Sequence, residues 1–331
     1  MDTFAVGIVI VLAMVFTYTN GFHDASNALA TSISTRALTP RVAVSLAAVA
    51  NFLGAFLGKR VADTIGSGII DAPRGTAGLT LAAAALVGAT AWNLLTWWRA
   101  LPSSSSHALI GGLVGAALAA GAAVRWVGVV DRVLVPMVLS PVVGLVGGYL
   151  VMAAILWLFR RQEARTARRR FRYAQTVSAV AVAFGHGMQD AAKTAGVVLL
   201  SLAVAGHYDP DDTTIPWWVF GLSAVVISFG TYAGGWRIMH TLGRRISALE
   251  SPQGFAAETT AAAILFIATA FRAPISTTHT ITAAIVGVSA TTGAHRVRWG
   301  VTRSIVGAWL LTLPGAAVIG AAAYAALSLL R

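Results

Sequence analysis

Two aspartates stand in the middle of apolar stretches, with amides, histidine and lysine beside them. The first belongs to Asn20-Gly21-Phe22-His23-Asp24-Ala25-Ser26-Asn27 and the second to His186-Gly187-Met188-Gln189-Asp190-Ala191-Ala192-Lys193. Each is followed downstream by a proline and a cluster of small hydroxyl residues ending in histidine. Pro102, Ser103, Ser104, Ser105, Ser106 and His107 follow the first, and Pro274, Ile275, Ser276, Thr277, Thr278 and His279 follow the second. A carboxylate surrounded by amide and carbonyl oxygens suits a small cation, and a histidine next to it can carry a proton instead. Proline followed by small hydroxyl residues starts a helix, whose free N–H groups and positive dipole end suit an anion. Two such helix starts facing each other would replace the hydration shell of a tetrahedral oxyanion. The plain alternatives are a local Asp190–Lys193 pair at i,i+3 and simple helix capping with small-residue packing. Finding both motifs twice, in register, favours a functional site.

Glu258, in Gly254-Phe255-Ala256-Ala257-Glu258, is a further carboxylate inside an apolar segment. It reads equally as a site residue and as a carboxylate placed at a helix start by the macrodipole. His107, His279 and His186 are balanced in the same way between function and hydrogen-bonded packing. Trp97-Trp98 and Trp217-Trp218 read as membrane-interface residues rather than a ligand cage. No phosphate-binding loop, dinucleotide fingerprint, zinc-protease helix or nucleophile elbow occurs, so no enzymatic activity and no cofactor are expected.

The elements that must position these groups follow from composition. The 331 residues are 57% hydrophobic and 11% charged, whereas a soluble domain carries about 25% charge. The expected fold is an all-α polytopic membrane protein. Ten segments are candidate spans: about 4–34, 42–58, 76–98, 103–124, 133–159, 174–205, 215–236, 255–271, 274–294 and 304–329, at roughly 20 residues per span. The first and sixth are too long for one straight span, and each has glycine beside its aspartate, which predicts broken helices at the two Asp motifs. The net charge of +12 does not indicate nucleic acid, because seven arginines crowd between Arg160 and Arg172. That cluster reads as a cytoplasmic linker at residues 160–173, in contact with anionic lipid, and places both termini outside the cell (inner) membrane. Five segments precede the linker and five follow it. An odd number per half inverts the second half, giving a first repeat at 1–159 and an inverted second repeat at 174–331. Order-preserving matches support the duplication: Asp24 with Asp190, Arg60–Gly66 with Arg237–Gly243, and Pro102–Gly115 with Pro274–Gly287. There are no cysteines, so no disulfide or thiolate metal site exists.

Gly21-Phe22-His23-Asp24 with Asn27-Ala28 and downstream Arg36-Ala37-Leu38 resembles the signature of the inorganic phosphate transporter (PiT) family. The second copy, Gly235-Trp236-Arg237, the Glu258 motif and Pro274 to His279 fit the same family, in order, over about residues 5–325. The resemblance implies an inverted-repeat secondary transporter that moves inorganic phosphate inward. It places Ser104, Ser105, Ser106, Ser276, Thr277 and Thr278 in the phosphate region. It places Asp24, Asn27 and Asp190 in the coupling-ion region, with His23, Gln189 and Glu258 as further candidates there. Sodium-coupled members tend to have Asn-Asp where this chain has His23-Asp24 and Gln189-Asp190. The chain is similar to the bacterial low-affinity, proton-coupled branch, which carries neutral metal–phosphate complexes. Replacing an amide ligand by imidazole weakens a hard-cation site and adds a titratable group, which favours a proton over sodium. Sodium symport and an uncoupled anion channel remain the alternatives, and a divalent metal accompanying phosphate and a homo-oligomer stay open.

Overall fold

A computed structural model describes residues 3–57, 69–209, 215–271, 273 and 275–329. Eleven helices make up the framework among these residues: α1 (Thr3–Ser34), α2 (Pro40–Ala55), α3 (Thr76–Trp98), α4 (Ser105–Ala119), α5 (Trp126–Leu158), α6 (Ala164–Val204), α7 (Trp217–Ala233), α8 (Trp236–Arg245), α9 (Ser251–Ala270), α10 (Thr277–Ala290) and α11 (Trp299–Ser328). Each of the ten candidate segments contains a helix. By length and hydropathy four helices, α1, α3, α5 and α11, are able to cross a membrane, and five if the bent pair α7–α8 counts as one. Lys59, the segment Arg60–Gly66, most of the acidic loop after Asp209, Arg272 and Pro274 lie outside the described residues.

The polarity of the molecule is turned inside out relative to a water-soluble protein. Val11, Val49, Val138, Leu150, Leu310 and Val318 are exposed, while His23, Asp24, Asn27, Gln189, Asp190, Lys193 and Glu258 are buried. An apolar exterior around a polar interior is stable only where the surroundings are themselves apolar.

The expected breaks at the Asp motifs are not found. α1 runs through Asp24 and α6 runs through Asp190 as continuous helices. The nearby glycines serve packing instead. A Cβ on Gly21 would overlap the Ile227 carbonyl of α7, and one on Gly187 would overlap the Asn51 carbonyl of α2. The irregular backbone lies at the hydroxyl motifs, where residues 101–104 lead from α3 into α4 and residues 275–276 lead from α9 into α10. Pro102, Ser103, Ser104, Ile275 and Ser276 are buried, as non-helical backbone at membrane depth has to be. A second bend, of 57°, separates α7 from α8 at Gly234-Gly235, and Gly234 takes φ 73°, a value that favours glycine.

Helix contacts come in exchanged pairs. α1 packs on α7 as α6 packs on α2, and α3 on α1 as α9 on α6. α11 packs on α4 as α5 packs on α10. The match reaches single residues: Gly230 meets the Tyr18 carbonyl, and Gly54 meets the Phe184 carbonyl. Each half thus lends its last helix to the hydroxyl motif of the other half. Gly115 on α4 sits against the Ala317 carbonyl of α11, whereas Gly307 has nothing within 4 Å of its missing Cβ. Gly115→Leu is expected to destabilise the protein by about 1–3 kcal/mol through overpacking, and Gly307→Leu to leave it unchanged. Thermal unfolding of both variants in detergent checks this.

Candidate functional site

The two Asp motifs meet at the α1–α6 crossing. Asp24, His186 and Asp190 each bring one ligand atom within 4.8 Å of the others, and among the described residues this is the group that could hold a metal ion. Both carboxylates are almost fully buried, Asp24 at 2% and Asp190 at 1% exposure. The hydroxyl motifs arrive from two other helices. Ser104 caps α4 by accepting from the His107 N–H, and Ser276 caps α10 by accepting from the His279 N–H. The helix starts therefore fall where the sequence placed them, with the first turn of each helix aimed at the aspartates. Ser105 Oγ donates to Asp24 Oδ2 at 3.2 Å, and Thr278 Oγ1 donates to Asp24 Oδ1 at 3.3 Å. Asn27 Nδ2 donates to Thr277 at 3.2 Å and to Thr278 at 2.9 Å. Asp24, Asn27, Ser105, Thr277 and Thr278 are one hydrogen-bonded unit, with Ser104, Ser106 and Ser276 buried beside them.

Asp24 also touches its neighbour in sequence. His23 Nδ1 lies 2.8 Å from Asp24 Oδ1, and His23 Nε2 lies 3.1 Å from Thr96 Oγ1. The Thr96 hydroxyl donates to the Trp92 carbonyl at 2.9 Å, so toward His23 it can only accept. Ser103 Oγ lies 3.4 Å from His23 Nε2 and 2.8 Å from Thr96 Oγ1, so the ring can either donate to Thr96 or accept from Ser103 and donate from Nδ1 to Asp24.

Asp190 repeats this arrangement with different partners. His186 Nε2 approaches Asp190 Oδ2 at 2.9 Å, as an ion pair without good hydrogen-bond alignment, and His186 Nδ1 faces Asn51 Oδ1 at 3.0 Å. Asn51 Nδ2 donates to Thr231 at 2.7 Å, and Thr231 donates to the Ile227 carbonyl at 2.9 Å. That chain fixes Asn51 Oδ1 as the acceptor for the His186 ring and leaves Nε2 against Asp190 without hydrogen-bond geometry. Lys193 Nζ donates to Asp190 Oδ1 at 2.7 Å and to the Ile275 carbonyl at 3.2 Å. The local pair weighed from the sequence is thus present, and it lies inside the site.

Two candidates stand apart. Gln189 donates to Thr269 at 2.9 Å and to the Ala273 carbonyl at 3.3 Å, which ties it to the end of α9 rather than to Asp190. Glu258 lies well inside α9 rather than at its start, and accepts from Thr31, Ser178 and Gln175 with no bond to the aspartates. His107 of α4 and His279 of α10 meet edge to face with ring centroids 4.9 Å apart, and His279 stacks on Trp309 at 4.0 Å. Trp309 of α11 donates to the Pro102 carbonyl at 3.0 Å, satisfying the irregular segment before α4. Arg237 donates to the Trp98 carbonyl at 3.1 Å and lies over the Trp97 ring, so it clasps the α3–α4 hairpin. Thr96, Asn51 and Trp309 carry no motif. Only their packing against motif residues reveals them.

Residues 20–320 match the model of a phosphate transporter family. A probable low-affinity inorganic phosphate transporter of Mycobacterium tuberculosis (strain ATCC 25618 / H37Rv) is 46% identical over 98% of this chain and 78% of its own. One of Bacillus subtilis (strain 168) with the same description is 39% identical, covering 98% of this chain and 97% of its own. A solved structure described as the sodium-dependent phosphate transporter superposes with a TM-score of 0.84 at 26% identity, over 99% of this chain and 100% of that one.

The buried Asp190–Lys193 pair gives a direct test. Asp190→Asn leaves an uncompensated buried ammonium, and breaking such a pair costs about 3–5 kcal/mol. The double change Asp190→Asn with Lys193→Met is expected to recover much of that loss, as read from thermal unfolding in detergent.

Proposed function

The chain belongs to the phosphate transporter family, and from that premise we propose that it imports inorganic phosphate by proton symport. It is a membrane protein whose role is transport rather than enzymatic turnover. In this reading residues 1–159 and 174–331 are two repeats of five spans inserted with opposite topology. The basic 160–173 segment joins them on the cytoplasmic side of the cell membrane, with both termini outside. The exchanged helix pairs support the duplication, and the odd number of segments per half supports the inversion.

Phosphate binds between the first turns of α4 and α10, with hydroxyls of Ser104, Ser105, Ser106, Ser276, Thr277 and Thr278 as donors. A site with an anion beside Asp24 is strongly disfavoured while that carboxylate is charged. At roughly 4 Å and an effective dielectric constant near 20, two like unit charges repel by about 4 kcal/mol. Neutralising Asp24 first therefore favours phosphate by about three orders of magnitude, and by linkage bound phosphate holds the proton equally. The observation that carries the proton is the His23–Asp24 contact, an imidazole 2.8 Å from a buried carboxylate that the Ser105 and Thr278 hydroxyls also reach. Sodium symport is the second reading. It is favoured by the clustering of Asp24, His186 and Asp190 and by the name of the structural relative.

Phosphate uptake into proteoliposomes with pH and sodium gradients varied separately tests the proposal. Uptake above equilibrium that collapses with a proton ionophore and ignores the sodium gradient is expected. Uptake that follows sodium alone overturns the proton, and flux that never exceeds equilibrium makes the protein a channel. Asp24→Asn is expected to lower coupled uptake about 100-fold or more, in the range for loss of a positioned proton-transfer group, with membrane insertion unchanged. Ser105→Ala should raise the KM for phosphate about tenfold, the loss of one hydrogen bond to a charged group.

A further inference from the structure

Superposing the motifs by sequence sets Asn27 in the place of Lys193, since each lies three residues after its aspartate on a continuous helix. The surroundings correspond as well. His23 reaches Thr96 at the end of α3, and Gln189 reaches Thr269 at the end of α9. What differs is the cation. Lys193 Nζ sits 2.7 Å from Asp190 Oδ1 and 3.2 Å from the Ile275 carbonyl, which belongs to the irregular segment before α10. Gln189 Oε1 is buried and has no hydrogen-bond partner among the described residues. Gln189 is tied to the end of α9, so the Lys193 ammonium is held by a carboxylate and a main-chain carbonyl released from a helix, which are ligands that hard monovalent and divalent cations take. In the first half the corresponding position is a neutral amide, and Asn27 Oδ1 is likewise buried without a partner.

We propose that Lys193 is a tethered cation that permanently occupies the second of two equivalent cation sites, so that the second half needs no soluble ion. The inference rests on the transport reading above and deepens it by assigning coupling to one half. Asp24 and Asp190 carry two negative charges and Lys193 one positive charge. Only Asp24 is left for a mobile ion to neutralise, while Asp190 stays compensated throughout the cycle. The ammonium is 2% exposed, and it is held by the same hairpin that would present Thr277 and Thr278 to phosphate. Lys193 thereby keeps the irregular segment ordered whether or not an ion is bound.

Lys193→Asn, which copies the first half, tests this. Thermal unfolding of the purified protein is followed in sodium chloride and in choline chloride, and phosphate uptake is followed in matching proteoliposomes. Sodium is expected to raise the unfolding midpoint of Lys193→Asn by about 5 °C over choline while leaving the wild type in place, as a ligand binding only the folded state does. Recovery of folded Lys193→Asn only when sodium is present gives the same support. A variant that folds and ignores sodium overturns the proposal. So does one that fails to fold in either salt, since the ammonium is then not exchangeable for a free cation. Wild-type uptake in the same vesicles reports on the transport reading separately. If the wild type carries no phosphate, that reading fails, while the sodium shift of the variant still decides the role of Lys193.

Discussion

Carboxylates gathered beside two hydroxyl-rich helix starts in a medium of low dielectric constant are the constraint on which the rest of this structure depends. Water would screen the repulsion, but here the aspartates and the hydroxyl helix starts are buried together. Each formal charge must be answered locally. Asp190 is answered by Lys193 and His186, and Asp24 by His23, Ser105 and Thr278. The donors at the two helix starts are hydroxyls and N–H groups, which carry no net charge.

The scaffold answers the same constraint on the backbone. Irregular segments at membrane depth expose carbonyls that lipid cannot satisfy. The Pro102 carbonyl takes the Trp309 indole N–H, the Ile275 carbonyl takes Lys193, and the Ala273 carbonyl takes Gln189. Glycines at the crossings bring α1 against α7 and α6 against α2 closely enough for side chains from four helices to converge.

The apolar segments and the hydroxyl helix starts were legible in the sequence, because hydropathy and capping chemistry leave local signatures. The position of the breaks was not. Glycine beside Asp24 and Asp190 reads equally as a hinge or as a close-packing residue, and only the neighbouring helix decides between them. Proline before the serines was the better pointer to the irregular backbone. Lys193 was visible as a local partner of Asp190, but its bond to the Ile275 carbonyl lies across the fold. Glu258 showed its burial in the sequence and hid its partners, since Thr31, Gln175 and Ser178 come from α1 and α6.

The loan of α11 to α4 and of α5 to α10 also sets an order of biosynthesis. α5 leaves the ribosome before α10 exists, and α4 waits for α11, the last of the helices described above. At about 5–20 residues per second that wait is roughly ten to forty seconds. During it the α3–α4 hairpin lacks the Trp309 indole and the packing surface of α11. A newly made chain therefore completes its first hydroxyl helix start only after α11 has emerged. A nascent chain that stalls before Trp309 leaves the Pro102 carbonyl without its indole donor.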